Sequence, residues 1–280
     1  MSPNGQPALP EPQALEQLTR LPRPVYGHLQ ALPNIVLDYR HAHPWGQLSY
    51  AIDGVLEVHT DTGFYLVPPQ RAVWIPAQVR HRVSCPGHTC LRSLYLEQPP
   101  ALWSPVQCRV LAINPLLREL IRSFSEGPVH YDPHGADGRL VQVLLDQLAQ
   151  ASQQQLMLPL PHDRRLRELC EHLQAQPDAD TRLSDWAVQQ GVSEKTLSRL
   201  FLRETGLSFR LWRQRMRLLS ALPALERGER VTDVALACGY ESLSAFIAAF
   251  SKQFGVPPGA FFRQPLNQIN THGSLFDESP

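Results

Sequence analysis

Between residues 183 and 255 the chain runs through one pattern twice. Leu183, Ser184, Asp185, Ala187, Gly191 and Val192 return 48 positions later as Val231, Thr232, Asp233, Ala235, Gly239 and Tyr240. One inserted residue moves the offset to 49, and Ser193, Leu197, Leu200, Phe201 and Gly206 then match Ser242, Phe246, Ala249, Phe250 and Gly255. A duplication on this scale restricts the fold to one supersecondary unit built twice.

The unit has a physical reading. Ser184 and Thr232 are expected as N-caps, each preceded by an apolar residue able to staple onto Val188 or Leu236. Ala187 and Ala235 are small enough for a second helix to approach. Gly191 and Gly239 can take positive φ and turn the chain. Ser193 or Ser242 then caps a second helix, with Leu197, Leu200 and Phe201, or Phe246, Ala249 and Phe250, facing inward. Helix, glycine turn, capped helix is the helix-turn-helix layout.

The outer face of the first copy's second helix then carries Glu194, Lys195, Thr196, Ser198, Arg199 and Arg203. Basic side chains there reach guanine edges or phosphates. The matching face of the second copy, Leu243, Ser244, Ile247 and Ala248, is nearly uncharged. It leaves Ser242, Ser244 and Lys252 as candidate DNA contacts. Net charge is zero, yet residues 164–264 hold 15 Lys and Arg against 11 Asp and Glu, and seven basic residues with one acid, Glu204, lie between Lys195 and Arg217. Such a cluster favours phosphate. Between the copies, FRLWRQRMRLLSALPALERG reads as helix; eighteen residues of it would span about 27 Å, near the roughly 34 Å of a DNA turn. Pro223 must end or kink that helix.

Residues 164–264 resemble the AraC/XylS-type DNA-binding domain, down to the closing signature GYESLSAFIAAFSKQFGVPPGAFF. The resemblance implies a bacterial transcription regulator that sets two recognition helices in successive major grooves of double-stranded DNA, with RNA polymerase as a further partner. It puts the base-reading positions at Lys195, Ser198 and Arg199, then at Leu243, Ser244 and Ala248.

Residues 25–112 read differently. Short β-prone runs (IVLDY, QLSYAI, VLEVHT, FYLVPP, AVWIPA) are separated by Gly, Pro, Asp and His, which suggests a small sandwich or barrel. Residues 1–24 and 265–280 read as a flexible arm and tail. NPLLRELIRSF and GRLVQVLLDQLAQAS are helical patterns, and Leu140, Leu144 and Leu148 form a stripe suited to a core or to a homodimer seam. QQQLMLPLPHD, 153–163, reads as a linker. The expected class is therefore α+β: a β-barrel sensor over 25–112, a helical dimerisation segment and linker over 113–163, and an all-α double helix-turn-helix domain over 164–264.

HAHPWGQ, residues 41–47, carries the chemistry of the first half. Strand alternation puts His41 and His43 on one face. Together with Gln47, Gly54, Pro76 and His81 they resemble the two cupin motifs, with Gln47 where an acid is usual and Gln78 where a glycine is usual. The resemblance implies a barrel whose pocket holds an effector on His41, His43, Gln47, Trp74 and His81. Imidazoles also bind zinc, nickel or iron, so His41, His43, Gln47 and His81 are equally candidate metal ligands, and a purely structural role stays open. HRVSCPGHTC offers His81, Cys85, His88 and Cys90, but with no recognised zinc spacing.

Several classes are excluded or disfavoured. The chain has neither a GxSxG elbow nor a glycine-rich cofactor loop. Its apolar runs fall short of the roughly 18 residues that cross a bilayer. The N-terminus lacks the basic-then-apolar order of a secretory signal, and five scattered cysteines suit reduced thiols in a cytoplasm. The expectation is a cytoplasmic homodimeric regulator controlled by a small-molecule effector, with or without a metal. A metal-dependent cupin enzyme and a regulator answering to the ion itself are the rivals; the enzyme has no use for a duplicated DNA-reading unit.

Overall fold

Alternation of side chains, residue by residue, builds two facing sheets whose outer sides are covered by different helices. The computed structural model describes residues 20–27, 39–84, 90–98, 103 and 107–262. Most of the expected arm, residues 263 and 264 with the whole expected tail 265–280, nearly all of IVLDY, and Cys85 and His88 lie outside these. The strands are β1 (Val25–Tyr26), β2 (Gly46–Asp53), β3 (Leu56–Thr60), β4 (Gly63–Val67), β5 (Arg71–Ile75), β6 (His81–Ser84), β7 (Cys90–Leu96), β8 (Arg109–Ala112), β9 (Gln153–Gln154) and β10 (Met157–Pro159). Among the described residues one sheet runs β1-β7-β2-β5-β8-β9 and the other β10-β4-β3-β6.

The segment expected to be a linker is thus part of both sheets. Leu156, Leu158 and Leu160 are buried at every second position, which is the period of a strand. β9 pairs with β8 and β10 with β4.

In the six-stranded sheet Leu48 and Tyr50 lie opposite Trp74 and Ala72. This face packs against α1 (Pro115–Glu126) and α2 (Ala136–Gln150). α1 starts where the Asn114 side chain accepts the Leu117 N–H at 2.8 Å, with Pro115 in its first turn. Leu144 and Leu148 are fully buried here and Leu140 only partly. The leucine stripe is therefore monomer core, each buried side chain contributing about 1.5–3 kcal/mol. The alternate residues of β2, Gln47, Ser49 and Ala51, face the interior between the sheets, the first two across from Ile75 and Val73 of β5.

Beyond β10 the chain is helical: α3 (Arg164–Ala175), α4 (Leu183–Gln189), α5 (Glu194–Thr205), α6 (Phe209–Ser220), α7 (Leu222–Glu226), α8 (Val231–Ala237), α9 (Leu243–Phe254) and α10 (Pro258–Phe261). The repeat appears as α4–α5 and α8–α9. Gly191 and Gly239 turn each pair at φ 65° and 75°. Ser193 and Ser242 cap α5 and α9 by accepting the N–H of Thr196 and Ala245. Ser184 and Thr232, however, lie inside the first turns of α4 and α8, whose caps are Arg182 and Arg230 without side-chain bonds. The staples are absent too, with Val188 79% and Leu236 58% exposed. Five residues along a helix turn about 140° away from the starting face, so Leu183 and Val188 cannot both face inward.

α6 ends at Ser220, and Ala221 joins it to α7, which has Pro223 in its first turn. The proline ends the helix as expected, but the continuous rod has 12 residues, about 18 Å, not 27 Å. The helical half docks on the outer face of the four-stranded sheet. Trp212 Nε1 donates to Pro159 O at 2.7 Å, Arg167 Nη2 to Asp61 O at 2.8 Å, and Gly54 N to Glu226 Oε1 at 3.2 Å. Among the described residues no helix is long and apolar enough to cross a membrane.

Candidate effector site and DNA-reading face

Three histidines meet in the interior between the sheets. Paired main-chain hydrogen bonds of 3.0 and 2.9 Å tie His41 to His81. Gln78 takes φ 63° in the turn after Pro76, the left-handed conformation for which cupin motifs use glycine; its N–H reaches His43 O at 2.9 Å. Metal-ligating atoms of His41, His43 and His81 all lie within 4.8 Å of one another. His43, His81 and Gln47 are buried and His41 half-buried.

Hydrogen bonds orient this group. Each histidine turns Nδ1 to a carbonyl: His41 to Tyr39 O at 3.1 Å, His43 to Trp45 O at 2.7 Å, His81 to Val79 O at 2.9 Å. A neutral ring facing a carbonyl carries its hydrogen on that nitrogen, leaving Nε2 as a lone pair. Burial, reinforced by the neighbouring histidines, pushes the His81 imidazole down to about 3, and burial lowers His43 as well. Gln47 Oε1 lies 2.9 Å from His43 Nε2 and 3.1 Å from His81 Nε2, while its NH2 donates to Ser49 Oγ at 2.9 Å and Ser93 Oγ at 3.3 Å.

Neutral rings in this tautomer place two lone pairs against the Gln47 oxygen. Either a cation sits among them, or the amide turns over and gives its NH2 to the rings and its oxygen to the serine hydroxyls. The donors therefore fit a divalent transition ion, and the carbonyl bonds at Nδ1 are the outer support such ligands use. Trp74 does not join them. It pairs across from Leu48, lies over Gly46 and packs on Trp103 at 4.9 Å, on the face covered by α1 and α2. Alternation sends Gln47 inward and the Leu48–Trp74 pair outward.

Sequence inspection missed Ser49, Ser93, Trp45 and Tyr95. Ser49 was visible as the next residue on the face of Gln47. Ser93 arrives only through the register Ser49↔Ser93. The Trp45 ring stacks on His43 at 5.8 Å, and Tyr95 meets its edge at the same distance.

On the helical half, Glu194, Lys195, Thr196, Arg199 and Arg203 are exposed on α5 and Ser198 is half-buried. The Thr196 hydroxyl bonds Ser193 Oγ at 2.8 Å, so it belongs to the cap. Glu204 turns away from this face and accepts the N–H groups of His162 and Asp163 at 2.8 and 2.9 Å. On α9, Leu243, Ser244, Ile247, Ala248 and Lys252 are exposed, while Ser242 is engaged as the cap. The basic cluster divides. Lys195, Arg199, Arg203 and Arg210 are exposed, whereas Arg213 and Arg217 of α6 bind the carbonyls of Ala179, Thr181, Pro177 and Gly239.

Residues 24–185 match the AraC-like ligand binding domain, and residues 186–264 match a helix-turn-helix domain. The chain belongs to the AraC family of transcription regulators. It is 39% identical over 221 residues to the regulator NimR of Escherichia coli, covering 79% of this chain and 81% of that one. It is 26% identical over 200 residues to the activator RhaR of Yersinia pestis, covering 67% and 66%. Among solved structures, ToxT of Vibrio cholerae aligns over 87% of this chain and 97% of its own at a TM-score of 0.37 and 11% identity. As a member of the family the chain is a DNA-binding regulator with a ligand-binding domain, and not an enzyme.

Proposed function

We propose that His41, His43, Gln47 and His81 form the effector-sensing site, and that α5 supplies most of the sequence reading on DNA, through Lys195, Ser198 and Arg199. The observation that carries the first half is the convergence of two buried imidazoles, one half-buried imidazole and one buried amide on a point inside a ligand-binding domain. Zinc, nickel or iron would be held by those four side chains and, when bound, would offer a Lewis-acid contact to an effector oxygen or nitrogen. The protein groups themselves orient: the carbonyls fix the rings, and Ser49 and Ser93 set the amide. Effector binding shifts transcription through its differential affinity for two arrangements of the chain, a coupling of about 1–3 kcal/mol in typical cases.

The test is elemental analysis of the full chain, paired with operator titrations with and without zinc, nickel, iron and a chelator. His81→Ala should abolish the effector response and leave effector-free operator affinity within about threefold, since distant sites act independently. Stoichiometric metal together with turnover of a small molecule would overturn the sensing reading.

RNA polymerase is a proposed partner of the operator complex, and the cytoplasm a proposed location, in keeping with the buried free thiols of Cys108, Cys170 and Cys238. A homodimer is proposed through the outer side of α1 and α2, where Leu116 is 54% and Val143 45% exposed. Val143→Asp should then yield monomers with an unchanged circular dichroism spectrum; an unaltered dimer would move the seam elsewhere.

A further inference from the structure

The Gln47 side chain stands between two imidazoles and two hydroxyls, and strand register decides which groups can meet it. On β7 the register sets Tyr95 opposite Gln47 and Ser93 opposite Ser49; on β5 it sets Ile75 and Val73 there. The β5 flank therefore offers the amide no polar side chain. Among the described residues its hydrogen-bond partners are Nε2 of His43 and of His81 on one side, and the hydroxyls of Ser49 and Ser93 on the other. Gln47 and Ser49 are buried, so a donor or acceptor left over there is costly.

An amide has one donating end and one accepting end, and an imidazole lone pair is satisfied only by a donor or a cation. Without a cation, the NH2 belongs at the rings and the oxygen at the serines. With a divalent cation held by the rings, the oxygen belongs beside it and the NH2 at the serines. Both orientations are open only if the groups behind the amide can answer both. A hydroxyl can, because it carries one hydrogen and two lone pairs. Ser49 Oγ and Ser93 Oγ lie 3.2 Å apart, and either can be the donor. With the NH2 toward them, both accept from Gln47 and one donates to the other. With the oxygen toward them, both turn their hydrogens to it and give up their mutual bond. Ser93 also bonds the Tyr95 side chain, so it keeps a further partner in either case.

We propose that Ser49 and Ser93 are positioning residues for Gln47, whose amide turns over when a divalent ion enters or leaves the histidine site. This rests on the reading of His41, His43, Gln47 and His81 as a site able to take such an ion. It adds the reason for a neutral amide at a position where a carboxylate would bind more tightly. A carboxylate meets neutral, empty rings with lone pairs alone, whereas the amide leaves the empty site and the occupied site both satisfied. Occupancy is thereby reversible.

Zinc titration by calorimetry tests this on the full chain and on Ser49→Ala/Ser93→Ala, each with Gln47 and with Gln47→Glu. With Gln47, the two alanines should weaken zinc binding about tenfold, as loss of an outer support does. With Gln47→Glu they should change it less than about twofold, because a carboxylate has no N–H in need of an acceptor. Nuclear magnetic resonance reads the orientation itself. Cross-relaxation from the Gln47 side-chain NH2 should reach the ring protons of His43 and His81 without zinc, and the β-protons of Ser49 and Ser93 with it. Equal losses in both backgrounds, no loss in either, or an NH2 with the same neighbours in both states overturns the proposal. A wild-type chain that takes up no zinc, nickel or iron overturns the ion-holding reading and the proposal with it; that failure shows in the unaltered chain, before any variant is compared. If the double variant loses its circular dichroism signal, Ser93→Ala alone, at the half-buried hydroxyl, carries the same comparison.

Discussion

Helices α5 and α9 are both capped by a serine, both closed by a left-handed glycine, and both seated on two fully buried side chains. Leu197 and Phe201 fill that role in one, Phe246 and Phe250 in the other. Their outer sides part company. Where α5 presents Lys195, Ser198 and Arg199, α9 presents Ser244, Ile247 and Ala248 at the matching positions. Packing constrains the inner side of both copies equally, and nothing in the fold constrains the outer side. Guanidinium and ammonium groups can fork onto guanine or phosphate, whereas methyl-bearing side chains can only touch thymine methyls. The two copies therefore share a scaffold and differ in the chemistry of their outer faces.

The largest expected effect tests the shared half of that comparison. Phe201→Ala and Phe250→Ala each leave a cavity in the core, and each should destabilise the helical half by about 3–5 kcal/mol, measured by chemical denaturation. A marked inequality between them would show that the copies are not equivalent supports. The next effect tests the unshared half. Arg199→Ala should cost about 1–3 kcal/mol in operator affinity and relax preference at one or two base positions. Footprints in which the α9 half-site is the more sequence-restricted would reverse the assignment.

Smaller again are the caps. Ser193→Ala and Ser242→Ala should each cost about 1 kcal/mol of stability, alike in both copies because the capping bonds are alike. Smallest is Ala248→Ser, expected to stay within about 0.5 kcal/mol for surface positions and to leave sequence preference nearly unchanged. A sharpening variant, Ala248→Arg, should steepen the salt dependence of binding by about one phosphate contact.

The basic cluster shows why composition overstated the DNA face. Seven basic residues and one acid fall from Lys195 to Arg217, yet Arg213 and Arg217 hold main-chain carbonyls of neighbouring segments, and Arg215 reaches Gln155 at 3.3 Å. A guanidinium carries five donors and serves as readily for fastening loops as for reading DNA. The sequence cannot distinguish the two uses, because the carbonyls that receive these donors come from other elements.

The repeat, the glycine turns, the serine caps and the inward faces of α5 and α9 were all legible from the chain alone, as were His41, His43, Gln47 and His81. Each depends on local periodicity or on residues a fixed few positions apart. Tertiary structure decided the rest. It turned Trp74 toward α1 and α2, drew residues 153–159 into both sheets, buried Leu144 and Leu148 within the monomer, and brought Ser93 and Tyr95 to the histidines. A side chain's face follows from strand register, and register is chosen by partners far along the chain; that choice becomes visible only once the sheets have closed.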